Sequence, residues 1–238
     1  MRVRLRFTKL GKLRFLGHRD LARCWERAIR KAELPIAYSE GFSPRPKMHF
    51  GLALPTGCES EAEYLDIDLR DDVGAVIDVD GLVPRLSAAM PVGIDVTAAL
   101  RVADFADALQ AVVSACTWRF EIVGESRDAI EARLAAMSAT DDVQLTFERK
   151  GKQVTENVRP AILDARITGE TEDAVLVTVE LATKPRSIRP GEFLAVFDPP
   201  LAARRICRIE QWTTIDGVRR PPLVPADASW PAGFPQAS

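Results

Sequence analysis

The sequence predicts an α+β fold of two tandem ferredoxin-like (βαββαβ) units with antiparallel sheets, the second unit degenerate. Three observations predict it. Apolar and polar residues alternate with period two at 3–7, 63–69 and 117–123, the signature of half-buried strands. Helical periodicity interrupts them, strongly at 18–33 and 126–137 and weakly at 79–90. The resulting order over the first hundred residues is strand, helix, strand, strand, helix, strand, and it restarts after residue 116.

Taken in order, Val3, Leu5 and Phe7 oppose Arg2, Arg4 and Arg6 in the first strand. A turn at Lys9-Leu10-Gly11-Lys12 leads to a short run at 13–16, read as the second arm of a hairpin or a kinked strand. Gly17-His18-Arg19-Asp20 opens a helix that reaches about Glu33 and is stopped by Pro35. Its Leu21, Trp25, Ala28, Ile29 and Ala32 fall within an arc of about 100°, and burial of the three largest contributes about 1.5–3 kcal/mol each. A loop at 39–47 precedes a strand at 48–54, and the acids Glu59, Glu61 and Glu63 read as a solvated turn after Gly57. The weak helix at 79–90 contains Gly81 and Pro84, and 93–102 reads as a strand. A short connecting helix is expected at 104–115. The second unit has strands at 117–123, 143–147, 162–167, 174–181 and 206–215, a helix at 126–137 and a short helix at 190–197. The expected division is therefore a basic first domain at 1–103, a linker at 104–116, a second domain at 117–217 and a proline-rich disordered tail at 218–238.

Composition narrows the function classes. With 47% hydrophobic and 28% charged residues among 238, the chain reads as globular. No apolar run approaches the ~20 residues that span a bilayer, and the first residues alternate arginine with apolar residues rather than forming a signal core, so a cytoplasmic protein is expected, with no membrane partner. Cys24, Cys58, Cys116 and Cys207 are far apart and read as reduced structural thiols. No CxxxCxxC is present to hold an iron–sulfur cluster, and two histidines with scattered cysteines make a poor zinc set, so no metal and no cofactor is expected.

The net charge of -2 hides an asymmetry: residues 1–50 hold 13 Lys and Arg against 4 Asp and Glu, and the remaining residues hold 19 against 30. Arg19, Arg23, Arg27 and Arg30 occupy the helix arc opposite the apolar one, with no acid among them and Asp20 and Glu26 flanking the stripe. Guanidinium groups in such a stripe suit bidentate contact with phosphate. In the loop Gly41-Phe42-Ser43-Pro44-Arg45-Pro46-Lys47, Phe42 is placed to stack a base, and Arg45 and Lys47 to hold phosphate. His18, at the helix start, is the candidate general acid or base if the chain is catalytic, although capping or packing is the commoner role at such a position. No P-loop, GxGxxG, HExxH or GxSxG occurs, so an enzyme is the less expected class.

The runs Leu13-Arg14-Phe15-Leu16-Gly17-His18-Arg19-Asp20-Leu21, Glu26-Arg27-Ala28-Ile29-Arg30-Lys31-Ala32 and Leu34-Pro35-Ile36-Ala37-Tyr38-Ser39-Glu40-Gly41-Phe42-Ser43-Pro44-Arg45-Pro46-Lys47 resemble the radical SAM-linked (radical SAM-associated) protein family, a bacterial domain of unknown function. Members occur fused to, or encoded beside, a radical SAM protein with a cobalamin-binding-like domain. The resemblance implies a radical SAM partner that supplies the cluster this chain lacks. A more distant, fold-level similarity is to CRISPR RNA-processing ribonucleases built of tandem ferredoxin-like domains. Their C-terminal glycine-rich loop is poorly matched by Arg189-Pro190-Gly191-Glu192. The expected function is a non-catalytic accessory protein that binds RNA, such as tRNA or rRNA, through Arg19, Arg23, Arg27, Arg30, Phe42, Arg45 and Lys47. The alternatives are a subunit that docks its basic face on the radical SAM partner without RNA, and a metal-independent ribonuclease using His18.

Overall fold

The computed structural model describes residues 1–70, 78–102, 107–215 and 217–223. Strand β1 (Arg2–Lys9) buries Val3, Leu5 and Phe7 completely on one face. The run that follows it is not a hairpin arm: Gly11–Phe15 winds into a 3-10 turn. Gly11 takes φ +63°, its amide donates to Glu59 Oε1 at 2.8 Å, and Lys9 Nζ donates to the Leu16 carbonyl at 2.8 Å. These bonds fold residues 13–16 back on the end of β1, where the Arg14 carbonyl accepts from Gly57 N at 2.9 Å.

Helix α1 (His18–Lys31) buries Leu21, Trp25, Ala28 and Ile29, as the apolar arc requires, and Trp25 meets Phe7 edge-on at 5.0 Å. Beyond it come β2 (Met48–Phe50), β3 (Glu59–Asp68), α2 (Val79–Ser87) and β4 (Val96–Val102). The second half contains α3 (Leu109–Val112), β5 (Val113–Val123), α4 (Arg127–Ser138), β6 (Gln144–Arg149), β7 (Lys152–Asn157), β8 (Ile162–Glu170), β9 (Val175–Ala182), α5 (Pro190–Ala195), β10 (Ala202–Ile215) and β11 (Val218–Arg220). The β6–β7 hairpin is a separate ribbon, and β7 has no counterpart in the sequence reading because its alternation, Val154 between charged and polar residues, buries nothing fully.

The main sheet has nine strands, ordered β4-β1-β3-β10-β5-β9-β8, with β2 paired to β3 and β11 to β10. The neighbour order β4-β1-β3-β2 recurs as β10-β5-β9-β8. Pairing is antiparallel throughout except where the halves join: β10 runs parallel to β3, with Cys207 opposite Glu59 and Arg208 opposite Ser60. One edge of β3 is thus shared, its Leu65–Ile67 stretch by β2 and its first residues by β10. The fold is α+β with a mostly antiparallel sheet. Two large apolar clusters lie on it, one around Trp25, Leu65 and Leu82, the other around Phe120, Val177 and Phe193.

The tail reading begins too early. Val218–Arg220 pairs with β10, and Pro221 to Leu223 are buried. The Pro222 carbonyl accepts from Arg4 Nη1 at 2.9 Å, and Leu223 packs with Tyr64 and Leu109. Five prolines concealed a segment that folds back over the sheet; residues 224–238 lie outside the described residues. The expected linker helix falls partly on 103–106, also outside them, and its described part is the single turn α3.

All four cysteines are free and buried. Burial pushes the Cys116 thiol up to about 11 and the Cys207 thiol up to about 12, and raises Cys58. Only the thiolate reacts, and unfolding restores both access and an ordinary acidity. Labelling with a disulfide reagent at pH 8 is therefore expected to be slow for the native chain and to reach four thiols at once in denaturant. Rapid labelling of Cys116 or Cys207 without denaturant would contradict this placement.

Candidate nucleic-acid interface

Among the 13 cations of residues 1–50, those of β1 and those on the outer face of α1 are placed differently. Arg2, Arg4 and Arg6 lie on the face of β1 opposite its apolar residues and are all consumed in ion pairs. Arg2 Nε meets Asp68 at 2.7 Å, Arg4 Nε meets Asp66 at 2.8 Å, and Arg6 Nη2 meets Glu210 at 3.1 Å. For Asp68, burial pulls its acidity the other way, but its bonds to Arg2 and His49 prevail and hold the carboxyl below the usual carboxylate value. Lys9 is buried as well, and desolvation lowers its pKa.

The helix arginines differ. Arg19, Arg23, Arg27 and Arg30 are all exposed. Arg23 reaches Asp20 at 3.1 Å, both side chains more than half exposed, an arrangement worth under about 1 kcal/mol and easily exchanged for phosphate. Arg27 touches Cys24 Sγ at 3.4 Å. Arg19 and Arg30 have no carboxylate partner among the described residues. Arg23, Arg27 and Arg30 border one shallow depression of about 560 Å³ with Leu16, Asp20, Cys24 and Glu26; Arg19 is not in its lining.

The loop after α1 is pinned at its base and free at its tip. Ser39 N donates to the Arg45 carbonyl, Lys47 N to the Ala37 carbonyl and Ala37 N to the Asp68 carbonyl, at 2.7–2.9 Å. The tip displays Phe42, fully exposed at 110%, with Arg45 and Lys47 also exposed. An aromatic ring of that size in water with no packing partner is uncommon for a structural residue. The stripe and the loop are separate features: α1 runs back along the sheet from the Lys9 end of β1, and the loop projects past the opposite end, beside Asp68.

His18 packs edge-on against Phe50, with ring centres 4.9 Å apart, and borders a hollow of about 40 Å³ with Lys9, Glu63 and Tyr64. Packing is the contact the structure records for it.

The acids read as a solvated turn are instead the fastening between the halves. Glu59, Glu61 and Glu63 lie on β3 and meet Arg205, Arg119 and Arg208 at 3.4, 2.8 and 2.8 Å. Arg208 also donates to the Leu52 and Ala53 carbonyls at 3.0 and 2.9 Å and covers the Trp118 ring at 4.8 Å. Tyr64 donates to Glu210 at 2.7 Å on the same seam, and burial raises the Glu210 carboxyl. Beside Arg208 opens a concavity of about 680 Å³. Nothing local in the sequence marks it, because its walls come from residues 52–56, 110–118, 181–190 and 208. Among the described residues no group of three or more His, Cys, Asp or Glu is placed to hold a metal, and no helix is long and apolar enough to cross a membrane.

Among solved structures, the chain is similar to one in a Cbf5-Nop10-Gar1 complex (8% identity, 88% of this chain and 48% of that one, TM-score 0.47). It is also similar to one in an archaeal box H/ACA sRNP Nop10-Cbf5 complex (10% identity, 87% and 46%, TM-score 0.43). The chain spans about half the length of these matches. No curated protein matches it. A family model does: the family described as "Uncharacterized protein conserved in bacteria (DUF2344)" matches residues 2–190, and the chain belongs to that family.

Proposed function

We propose that this chain is an RNA-binding accessory protein that works beside a radical SAM enzyme. The carrying observation is the division of its N-terminal cations: the strand arginines are neutralised inside the fold, whereas the four arginines of α1 are exposed on one face. A helix held by its buried side and left cationic on the other is a surface for phosphates. Phe42 adds a stacking platform of the kind single-stranded binders use. The repeated strand order supports reading the halves as two ferredoxin-like units joined edge to edge. The radical SAM partner rests on the resemblance of residues 13–47, and in this reading the chain presents RNA to that enzyme rather than cutting it.

The test is a salt series. With six phosphate contacts, from the four helix arginines, Arg45 and Lys47, log affinity for single-stranded RNA falls against log salt with a slope of about -4. A flat salt response, or no binding at low salt, contradicts the proposal. Phe42→Ala separates stacking from packing. It is expected to leave stability within about 0.5 kcal/mol, because nothing packs on the ring, and to weaken RNA binding by about 1–3 kcal/mol. Urea unfolding and fluorescence anisotropy measure the two effects.

A further inference from the structure

Three concavities adjoin. The depression along α1 ends at Leu16. Leu16 also borders the hollow under His18 and Phe50, and that hollow shares Leu52, Ala53 and Leu54 with the large cleft. The small hollow at His18 thus lies between the depression on α1 and the large cleft, with Leu16 common to the first pair and Leu52, Ala53 and Leu54 common to the second. The middle hollow, at about 40 Å³, is far too small for a base, whereas the cleft, at about 680 Å³, falls within the range of small-molecule sites.

The chemistry of the cleft is selective. The chain carries 34 Asp and Glu, yet none is among the described residues that line the cleft. Its cations are Arg208 and Arg189. Arg208 is fixed and balanced by Glu63; Arg189 is exposed at the rim, its amide donating to Glu192 Oε2 at 2.7 Å and its guanidinium in no ion pair among the described residues. Leu54, Pro55, Ile188 and Pro190 line it with apolar groups, and Gln110, Thr183 and Ser187 line it with amide and hydroxyl groups, of which Gln110 also reaches the Phe50 and Gly51 carbonyls and Thr183 the Val113 carbonyl. Apolar walls with a few directional polar groups and an unneutralised arginine suit an anion carrying a flat ring.

We infer that the cleft takes one nucleotide of the bound RNA, its base between the apolar walls and its phosphate at Arg189. This rests on the RNA reading above and extends it from backbone contact to a base-binding site. Ser187 and Arg189 are both exposed, so Ser187→Trp fills the mouth and Arg189→Glu reverses its charge without disturbing buried packing.

The test uses a pool of random 12-nucleotide RNAs containing 4-thiouridine, with binding followed by anisotropy and photo-crosslinks mapped by mass spectrometry. Each substitution is expected to weaken binding about tenfold, the effect of losing one stacked base or one phosphate contact, and to remove crosslinks at residues 52–56 and 183–190. Suppose the wild-type chain binds the pool through Arg23 and Arg27, both substitutions bind within about twofold of it, and no crosslink falls in the cleft. The cleft inference is then overturned and the RNA reading stands. Failure of the wild-type chain to bind the pool overturns both.

Discussion

Replacing Arg23 and Arg27 together by glutamate is expected to lower RNA affinity by about 150-fold or more near 0.15 M salt. Two charge-assisted contacts of about 1.5–3 kcal/mol each are lost, and two repulsive charges replace them. The salt slope should also fall by about 1.4, the share of two phosphates on a single strand. Stability should change by no more than about 1 kcal/mol, because α1 is anchored by Leu21, Trp25, Ala28 and Ile29, and the two arginines contribute only an exposed pair with Asp20 and a contact with Cys24 Sγ. Anisotropy titrations at several salt concentrations, with urea unfolding on the same samples, check all three. Unchanged affinity would place the RNA elsewhere; loss of fold would mean the stripe is structural.

The second large effect concerns the arginines that the account assigns to the fold. Asp66 is 2% exposed and accepts from Arg4 Nε and Nη2 at 2.8 and 2.9 Å. Asp66→Ala is expected to cost about 3–5 kcal/mol, because it leaves a buried guanidinium with only the Pro222 carbonyl opposite it. Urea midpoints measure the loss. Asp20→Ala, which removes the exposed partner of Arg23, should cost less than about 1 kcal/mol. The contrast between the two carboxylates is the energetic form of the division between internal and free cations. A loss of under 1 kcal/mol for Asp66→Ala would mean that Arg4 escapes to water and belongs with the surface cations after all.

The same division shows where sequence reading ends. Alternation at Val3, Leu5 and Phe7 and the arc of Leu21, Trp25 and Ile29 are local patterns, and the strand and helix they imply are present with those residues buried. Charge has no such pattern. Arg2 and Arg19 look alike in sequence, yet one meets Asp68 across the sheet and the other meets water, because the partner lies 66 residues away on β3. The row Glu59, Glu61 and Glu63 looked like a turn for the same reason: the arginines that give it meaning sit at 119, 205 and 208. The cleft was illegible because four distant segments build it. The exposure of Phe42, Arg45 and Lys47 has a local cause, since prolines beside an isolated aromatic leave a short loop little to pack against.

Ultraviolet crosslinking of the chain to RNA inside its native host, followed by sequencing of the bound RNA and mapping of the crosslinked peptides, tests the central claim most directly. The account predicts a discrete set of RNAs, crosslinks within residues 19–47, and loss of both on substituting Arg23 and Arg27 by glutamate. It is contradicted if no RNA is recovered above background while a radical SAM protein co-purifies with the wild-type chain and is lost on the same substitutions, which would make the basic face a protein-docking surface.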